Sequence, residues 1–301
     1  MKKGGYNVKL YKWQMKFIKY ETKGEFLDDN LDILLKEEAK NEIMIGITLE
    51  HNTLKVNNWL LGRIEDDNKV KLIFLVDDDK NGLLLYSPEG KVSDELAECL
   101  VDNIIKLDIE LKEILTSKKN AKKIAKIYSA KTSKKMIETE FAYIFKFDKF
   151  NEEHILNVGE RIEKIEDENS NLQEVEELVK EMYETTYGGK YCSEIEANKV
   201  AKVFVRKGLY VLKNENDEIV TQASTVRKQI NGCAIGGVIT SKKHRGYGYA
   251  KRCVYALCEQ LLKEGYKFIV LHVKPSNDAA ISVYRKIGFE QIDETEKILF
   301  V

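Results

Sequence analysis

The chain has 301 residues, 43% of them apolar, and 49 Lys and Arg against 50 Asp and Glu give a formal net charge of −1. That length is comfortable for two domains and the apolar share suffices for a sizeable core, which excludes global disorder. The balanced charge argues against a dedicated nucleic-acid binder, which would carry a basic excess, and leaves room for a local basic pocket.

Cys99, Cys192, Cys233, Cys253 and Cys258 form no CxxC pair, and the four histidines are well separated. No disulfide framework and no metal site is expected, but reduced thiols in a cytoplasmic protein. Met1-Lys2-Lys3 is followed by no apolar stretch of a signal peptide, and no run approaches the roughly 18 apolar residues of a membrane span.

In chain order, Phe26, Leu27, Leu31, Leu34 and Leu35 have helical spacing and predict a helix over 26–39. Residues 58–64 and 70–76 read as strands joined by the polar turn Asp66-Asp67-Asn68, and 82–86 as a third strand. Ser93 caps a helix running to about Leu107. A strand over 111–115, a helix over 120–128 and a strand over 141–147 follow. The polar stretch 150–159 has no strong period, and a domain boundary is placed there, giving domains 1–155 and 156–301.

Beyond it, 161–165 reads as an edge strand and 172–183 as an amphipathic helix, and Ser193 with Glu196 has capping-box spacing for a helix over 193–204. Strands are expected at 209–212, 219–226 and 233–240, with Asn231-Gly232 as a hairpin turn. A helix over about 249–264, a strand over 268–273, a helix over 278–287 and a strand over 298–301 complete the chain. The pattern predicts an α/β (α+β) architecture with a mixed, mostly antiparallel sheet flanked by helices.

Arg245-Gly246-Tyr247-Gly248-Tyr249-Ala250 sits between the last antiparallel strand and the long helix. Glycines without a β-carbon let main-chain N–H groups turn toward an anion. The helix start adds unpaired donors and positive potential, and Arg245 a planar fork for phosphate oxygens. Lys242, Lys243 and His244 strengthen the local field. A Walker loop would need Gly-Lys-Ser/Thr, and a dinucleotide fingerprint a leading parallel strand. The plain alternative is a glycine turn with surface lysines.

Arg245, Gly248 and Ala250, followed at the right separation by Asn277, Ala280, Tyr284, Gly288 and Phe289, resemble the two signatures of the GNAT superfamily of acyl-CoA N-acyltransferases. The longer run 237–250 resembles a subgroup of two-domain acetyltransferases, departing from it at Ser241-Lys242, where prolines are usual. The motif-bearing part covers roughly the last 140 residues. An echo of 270–284 in 114–128, with Asn120 and Tyr128, suggests that the first half is a degenerate copy of the same fold.

The resemblance implies a GNAT fold in the second domain, with acetyl-CoA as cosubstrate and no metal. The acyl-CoA is expected to lie against Val238, Ile239 and Thr240, with its diphosphate on Arg245, Gly246, Tyr247, Gly248, Tyr249 and Ala250, and with Asn277 holding the arm or capping its helix. A main-chain N–H at 238–240 would polarise the thioester carbonyl. Tyr284 is the implied general acid toward the departing thiolate.

The base is open. Ser224, Thr225, Gly236 and Gly237 stand where many members have a Glu on the central strands, so a water chain, ordered by Ser224, or uptake of neutral amine remains. His272 is a candidate, although a single His at a strand end is more often structural. Cys233 reads as core. The acceptor is expected to be a primary amine of a small molecule or peptide, selected by about 172–204; neither nucleic acid nor membrane is an expected partner. A non-catalytic acyl-CoA-binding or sensing protein, and a transferase of another acyl or aminoacyl group, are the alternatives.

Overall fold

Asp67 and Asn68 take positive φ of 48° and 58°, which short polar side chains tolerate. They join β2 (Leu60–Asp66) to β3 (Lys69–Val76) as an antiparallel pair. The structure, a computed structural model, describes residues 15–50, 59–77, 82–138, 141–152, 156–170, 172–186 and 189–301. The N-terminal residues Met1-Lys2-Lys3, the first residue of the strand expected from Asn58, and 153–155 of the expected boundary lie outside the described residues. The chain divides into one unit of residues 1–30, 53–138 and 297–301 and another of 31–52 and 139–296.

In the first unit β1 (Lys16–Tyr20), β2, β3 and β4 (Gly82–Tyr86) are successively antiparallel, and β5 (Glu113–Ser117) runs parallel to β4. The end of the last strand, β13 (Glu290–Phe300), pairs Leu299 with Ile137 of β6 (Met136–Glu138). Helices α3 (Asp94–Lys106) and α4 (Lys118–Thr132) bury Leu96, Leu100, Ile104 and Ile124 against Leu72, Phe74 and Leu83. Ser93 Oγ accepts from Leu96 N at 3.1 Å, so the expected cap is present.

The second unit orders its strands β13–β7–β12–β11–β10–β9–β8. These are β7 (Ala142–Phe147), β8 (Arg161–Ile165), β9 (Leu209–Lys213), β10 (Ile219–Lys228), β11 (Gly232–Thr240) and β12 (Phe268–Val273). Among the described residues of this unit, only β11 and β12 pair in parallel. Tyr210 and Leu212 point to one face and Leu209 and Val211 to the other, as the two-residue period of a strand requires. On the first face α7 (Tyr249–Lys263) and α8 (Asp278–Ile287) bury Val254, Leu257 and Ile281 with Ile235 and Leu271. On the second, α5 (Gln173–Thr186) and α6 (Glu194–Lys207) bury Val179 and Ala201 with Val211 and Ile239. Residues 31–52 add the end of α1 (Lys23–Leu34) and all of α2 (Glu42–Leu49), which packs on β10 and β11.

The mixed, mostly antiparallel sheet flanked by helices is the expected architecture, and β8, β12 and α8 fall on the expected residues. Both halves of the chain also follow one order, β-α-α-β-β-β-α-β-α-β, β1 to β6 and β8 to β13, with β7 between them. Each contains one parallel pair, β4 with β5 and β11 with β12. Among the described residues, β1, α2 and β6 escaped the sequence. Helix α2 reads Glu-Ile-Met-Ile-Gly-Ile-Thr-Leu, and Met44, Ile45, Gly46 and Thr48 are all buried. A helix enclosed on several sides has no polar face and shows no period. The last strand begins at Glu290 rather than Ile298, because its first half is mostly polar and only partly buried.

Candidate active site

Strand β11 pairs with β12 only over Gly232↔Phe268, Cys233↔Ile269 and Ala234↔Val270. It then runs on to Thr240, while β12 runs to Val273 and stays paired with β7 on its other edge. The two parallel strands therefore separate after Ala234 and Val270, and the facing main-chain groups of 235–240 and 271–273 are not spent on a ladder. The separation has a local cause. Gln222 pairs with Ile239 but Ser224 with Gly236, so β11 carries one extra residue there. Gly237 sits in this bulge with φ 62°, and a Cβ on it would lie 2.8 Å from the Phe204 ring. A bulge bends its strand and re-aims the next amides. Beside it, Gln222 is fully buried, with Nε2 3.4 Å from the Gly237 carbonyl and Oε1 without a partner.

A 3-10 turn over Lys242–His244 leads from β11 to the glycine loop, and α7 starts at Tyr249. Gly246 and Gly248 take φ of 87° and 78°. Gly248 is the N-cap and offers no side chain to the first amides of α7, so these remain available to an anion. Nothing lies within 4 Å of where a Cβ on Gly246 would stand, and Tyr247 is 68% exposed. Arg245 Nε donates to the Thr240 carbonyl at 3.2 Å, and its Nη2 is 3.9 Å from Glu181 of α5. Lys242 Nζ pairs with Glu184, and His244 Nε2 is 3.5 Å from Glu218. These carboxylates temper the positive field that the basic run suggested.

Arg252, one turn into α7, was not singled out from the sequence, yet it holds this loop. Its Nη1 donates to the Tyr247 carbonyl at 2.9 Å and its Nη2 to Glu160 at 2.7 Å, and the guanidinium lies 4.7 Å from the Tyr249 ring centroid. A Cβ on Gly248 would approach Nη1 to 3.1 Å. The signal was an Arg on an otherwise apolar helix face.

Tyr284 is buried on α8 with its ring 5.7 Å from that of Phe289. Burial, reinforced by Cys258, pushes its phenol above the ordinary value, so it stays protonated at neutral pH. Asn277 Oδ1 accepts from Ala280 N at 3.1 Å and so caps α8. Ser224 is fully buried, with Oγ 3.2 and 3.3 Å from the carbonyls of Phe204 and Gly208 and 2.8 Å from that of Thr225. Its one proton is therefore claimed by main-chain carbonyls, that of Thr225 being the nearest. Cys233 is core, its thiol pushed up to about 12 by burial. Val238 is half-buried, Ile239 is buried toward α5 and α6, and Thr240 Oγ1 is 2.8 Å from Thr221 Oγ1.

A second feature missed in the sequence is Glu42 of α2, which is fully buried. Arg227 grips it with Nε and Nη2, each at 2.7 Å, and His272 Nε2 lies 2.9 Å from the Oε1 that Arg227 Nη2 also uses. Burial alone would raise this carboxyl; Arg227 and His272 outweigh it and lower it from 4.5 to about 2. The depressed folded-state value means that the unfolded chain binds the proton more tightly. The stabilisation is therefore complete above about pH 4.5 and is lost as pH falls toward about 2. In urea melts from pH 6 to pH 3, the Glu42→Gln variant is expected to be less stable at pH 6, by roughly 3–5 kcal/mol, and to show a shallower acid loss than the natural chain. Parallel acid profiles would contradict this.

In the first unit the equivalent parallel pair is closed. Pairing of β4 with β5 ends at Leu84↔Leu115, but Thr116 Oγ1 donates to the Leu85 carbonyl at 3.0 Å. Ser93 caps α3, Asp94 and Glu95 make its first turn acidic, and Tyr128 Oη accepts from Leu111 N at 2.9 Å. At the start of α3 the Leu96 amide is thus already taken, and two carboxylates stand in the first turn where an anion would have to sit. Among the described residues no group of three or more His, Cys, Asp or Glu could hold a metal ion, and no helix is long and apolar enough to cross a membrane.

A parallel pair that splits at a bulge, feeding a glycine loop at a helix start, defines the GNAT fold. Residues 208–298 match the family model described as FR47-like protein, a GNAT-related domain. The chain as a whole has the fold of tandem GNAT proteins. A Drosophila protein is 12% identical with TM-score 0.64, over 96% of this chain and 99% of that one. A GCN5-related N-acetyltransferase from Sphaerobacter thermophilus is 11% identical with TM-score 0.57, over 94% of each chain. A tandem GNAT protein from the clavulanic acid biosynthesis pathway is 11% identical with TM-score 0.53, over 95% of this chain and 98% of that one. No curated protein matches the sequence.

Proposed function

We propose that the chain is an acetyl-CoA-dependent N-acetyltransferase that moves the acetyl group to a primary amine by direct attack in a ternary complex. The observation that carries this reading is the separation of β11 from β12 after Ala234 and Val270, aligned in the chain with the uncapped start of α7. The residues present fit the cosubstrate. The open space at Gly246 and the amides opening α7 suit a diphosphate, and the edge of 238–240 that no longer pairs with β12 suits an amide-bearing arm. A main-chain N–H beside the bulge at Gly237 would stabilise the developing oxyanion. The thioester is already activated, so no covalent enzyme intermediate is required, and the buried, elevated thiol of Cys233 is unsuited to one. Tyr284, a phenol and so protonated at neutral pH, supplies the proton for the departing thiolate.

With the first unit's parallel pair closed by Thr116, the full chain is expected to bind one acetyl-CoA in calorimetry and to release CoA only when a primary amine is added. Binding without amine-dependent release across small amines and amino-terminal peptides would instead support a sensing module.

A further inference from the structure

The acetyltransferase reading lacks a group to deprotonate the amine, and the residues first considered for it are occupied. Ser224 Oγ faces the carbonyls at the end of α6, Thr225 Oγ1 donates to the Lys207 carbonyl, and Gly236 and Gly237 have no side chain. On β12, His272 stands two residues past Val270, the last residue paired with β11. It therefore lies on the strand that borders the opening, beyond the point of separation. Its neighbours Leu271 and Val273 belong to the α7/α8 cluster, whereas Val270 packs with Ile144 and Ala39 on the opposite face. By strand alternation His272 shares that opposite face. The glycine loop leads into α7, so a cosubstrate held there approaches from the α7 face, and the acceptor would enter on the opposite face, beside the helices α2, α5 and α6 that pack there. The His272 side chain retains 22% exposure, whereas the Glu42 side chain retains 1%.

We propose that His272 is the general base of the reaction and that Glu42 is the residue that positions it; the inference rests on the acetyltransferase reading above. Glu42 Oε1 lies 2.9 Å from Nε2, an ion-pair distance without hydrogen-bond geometry, and Nδ1 is the nitrogen that would meet the acceptor. Arg227 fixes the carboxylate from β10, as a third group orients the base in other acyl-transfer sites. Along this row of the sheet His272 is level with Ile144, Ile144 with Asp293, and Asp293 lies 3.5 Å from Lys40, while Glu50 at the end of α2, which also acts on Arg227, pairs with Lys207.

An acceptor R–NH3+ gives one proton to Nδ1, and the imidazolium is stabilised by Glu42. The freed lone pair attacks the thioester carbon, and the C–S bond breaks with its electron pair on sulfur. Tyr284 protonates the thiolate, the proton shed by nitrogen on forming the amide replaces it, and His272 returns its own to solvent.

The test measures CoA release from acetyl-CoA by the full chain over a panel of primary amines and a pH series. His272→Gln is expected to lower kcat by about 100-fold or more, to leave the KM for acetyl-CoA within about twofold, and to abolish the acid limb of the profile. Imidazole in the buffer should partly restore His272→Ala, which a folding defect would not allow. Glu42→Gln should lower kcat by about 10-fold or more while leaving the KM for acetyl-CoA within about twofold, the split expected when the base is present but no longer held in place. A natural chain that turns over together with a His272→Gln variant of equal kcat and unchanged profile overturns this inference alone. A natural chain that binds acetyl-CoA but never releases CoA to an amine overturns the transferase reading and this inference with it.

Discussion

Gly248→Glu is expected to abolish acetyl-CoA binding in titration calorimetry, a loss of affinity of at least about 100-fold, or roughly 2.7 kcal/mol. Three effects act together. The residue caps α7 with φ 78°, where a side chain other than Gly costs about 1–2 kcal/mol. The new Cβ would press on Arg252 Nη1 at 3.1 Å and disturb its bond to the Tyr247 carbonyl. The added carboxylate would then compete for the amides meant for a diphosphate and repel it. Because the change sits at an exposed loop, the thermal midpoint should fall by only a few degrees. Unchanged affinity would remove the loop from cosubstrate binding.

Tyr284→Phe is expected to lower kcat by about 10²–10⁴-fold while the KM for acetyl-CoA stays within about twofold. The substitution removes only the hydroxyl and keeps the ring that packs on Phe289 at 5.7 Å, so stability should barely change. The effect isolates proton donation to the leaving thiolate. In its absence the thiolate must depart unprotonated, and the loss should be smaller for acyl thioesters whose leaving thiol is more acidic. An unaltered kcat would take Tyr284 out of the mechanism.

The proposed cradle is readable from the sequence because its parts are adjacent in the chain. Two glycines with positive φ, an Arg and a helix start occupy six consecutive residues, and Asn277, Tyr284 and Gly288 punctuate the next helix with their own local logic. The elements around them follow from turn chemistry and period, as with the Asp67-Asn68 turn and the caps at Ser93 and Ser193. What stayed hidden depends on contacts between distant residues. Glu42 and Arg227 are 185 positions apart, and Glu160 and Arg252 are 92 apart. A buried carboxylate in a uniformly apolar helix carries no period, and nothing local states that its partner stands on β10. The bulge at Gly237 likewise arises from pairing with β10, which a single strand's sequence does not encode. The same limit applies to Ser224: its type suits water ordering, but main-chain carbonyls claim its hydroxyl.

Cosubstrate binding as proposed depends on main-chain amides at the start of α7 taking a diphosphate. Its most direct test is amide NMR of the 15N-labelled full chain titrated with acetyl-CoA. The amides of Gly246, Gly248, Tyr249 and Ala250 are predicted to show the largest shifts, with those of 238–240 following and the first-unit amides near Ser93 unmoved. Saturable binding that leaves the four loop amides unshifted would contradict it.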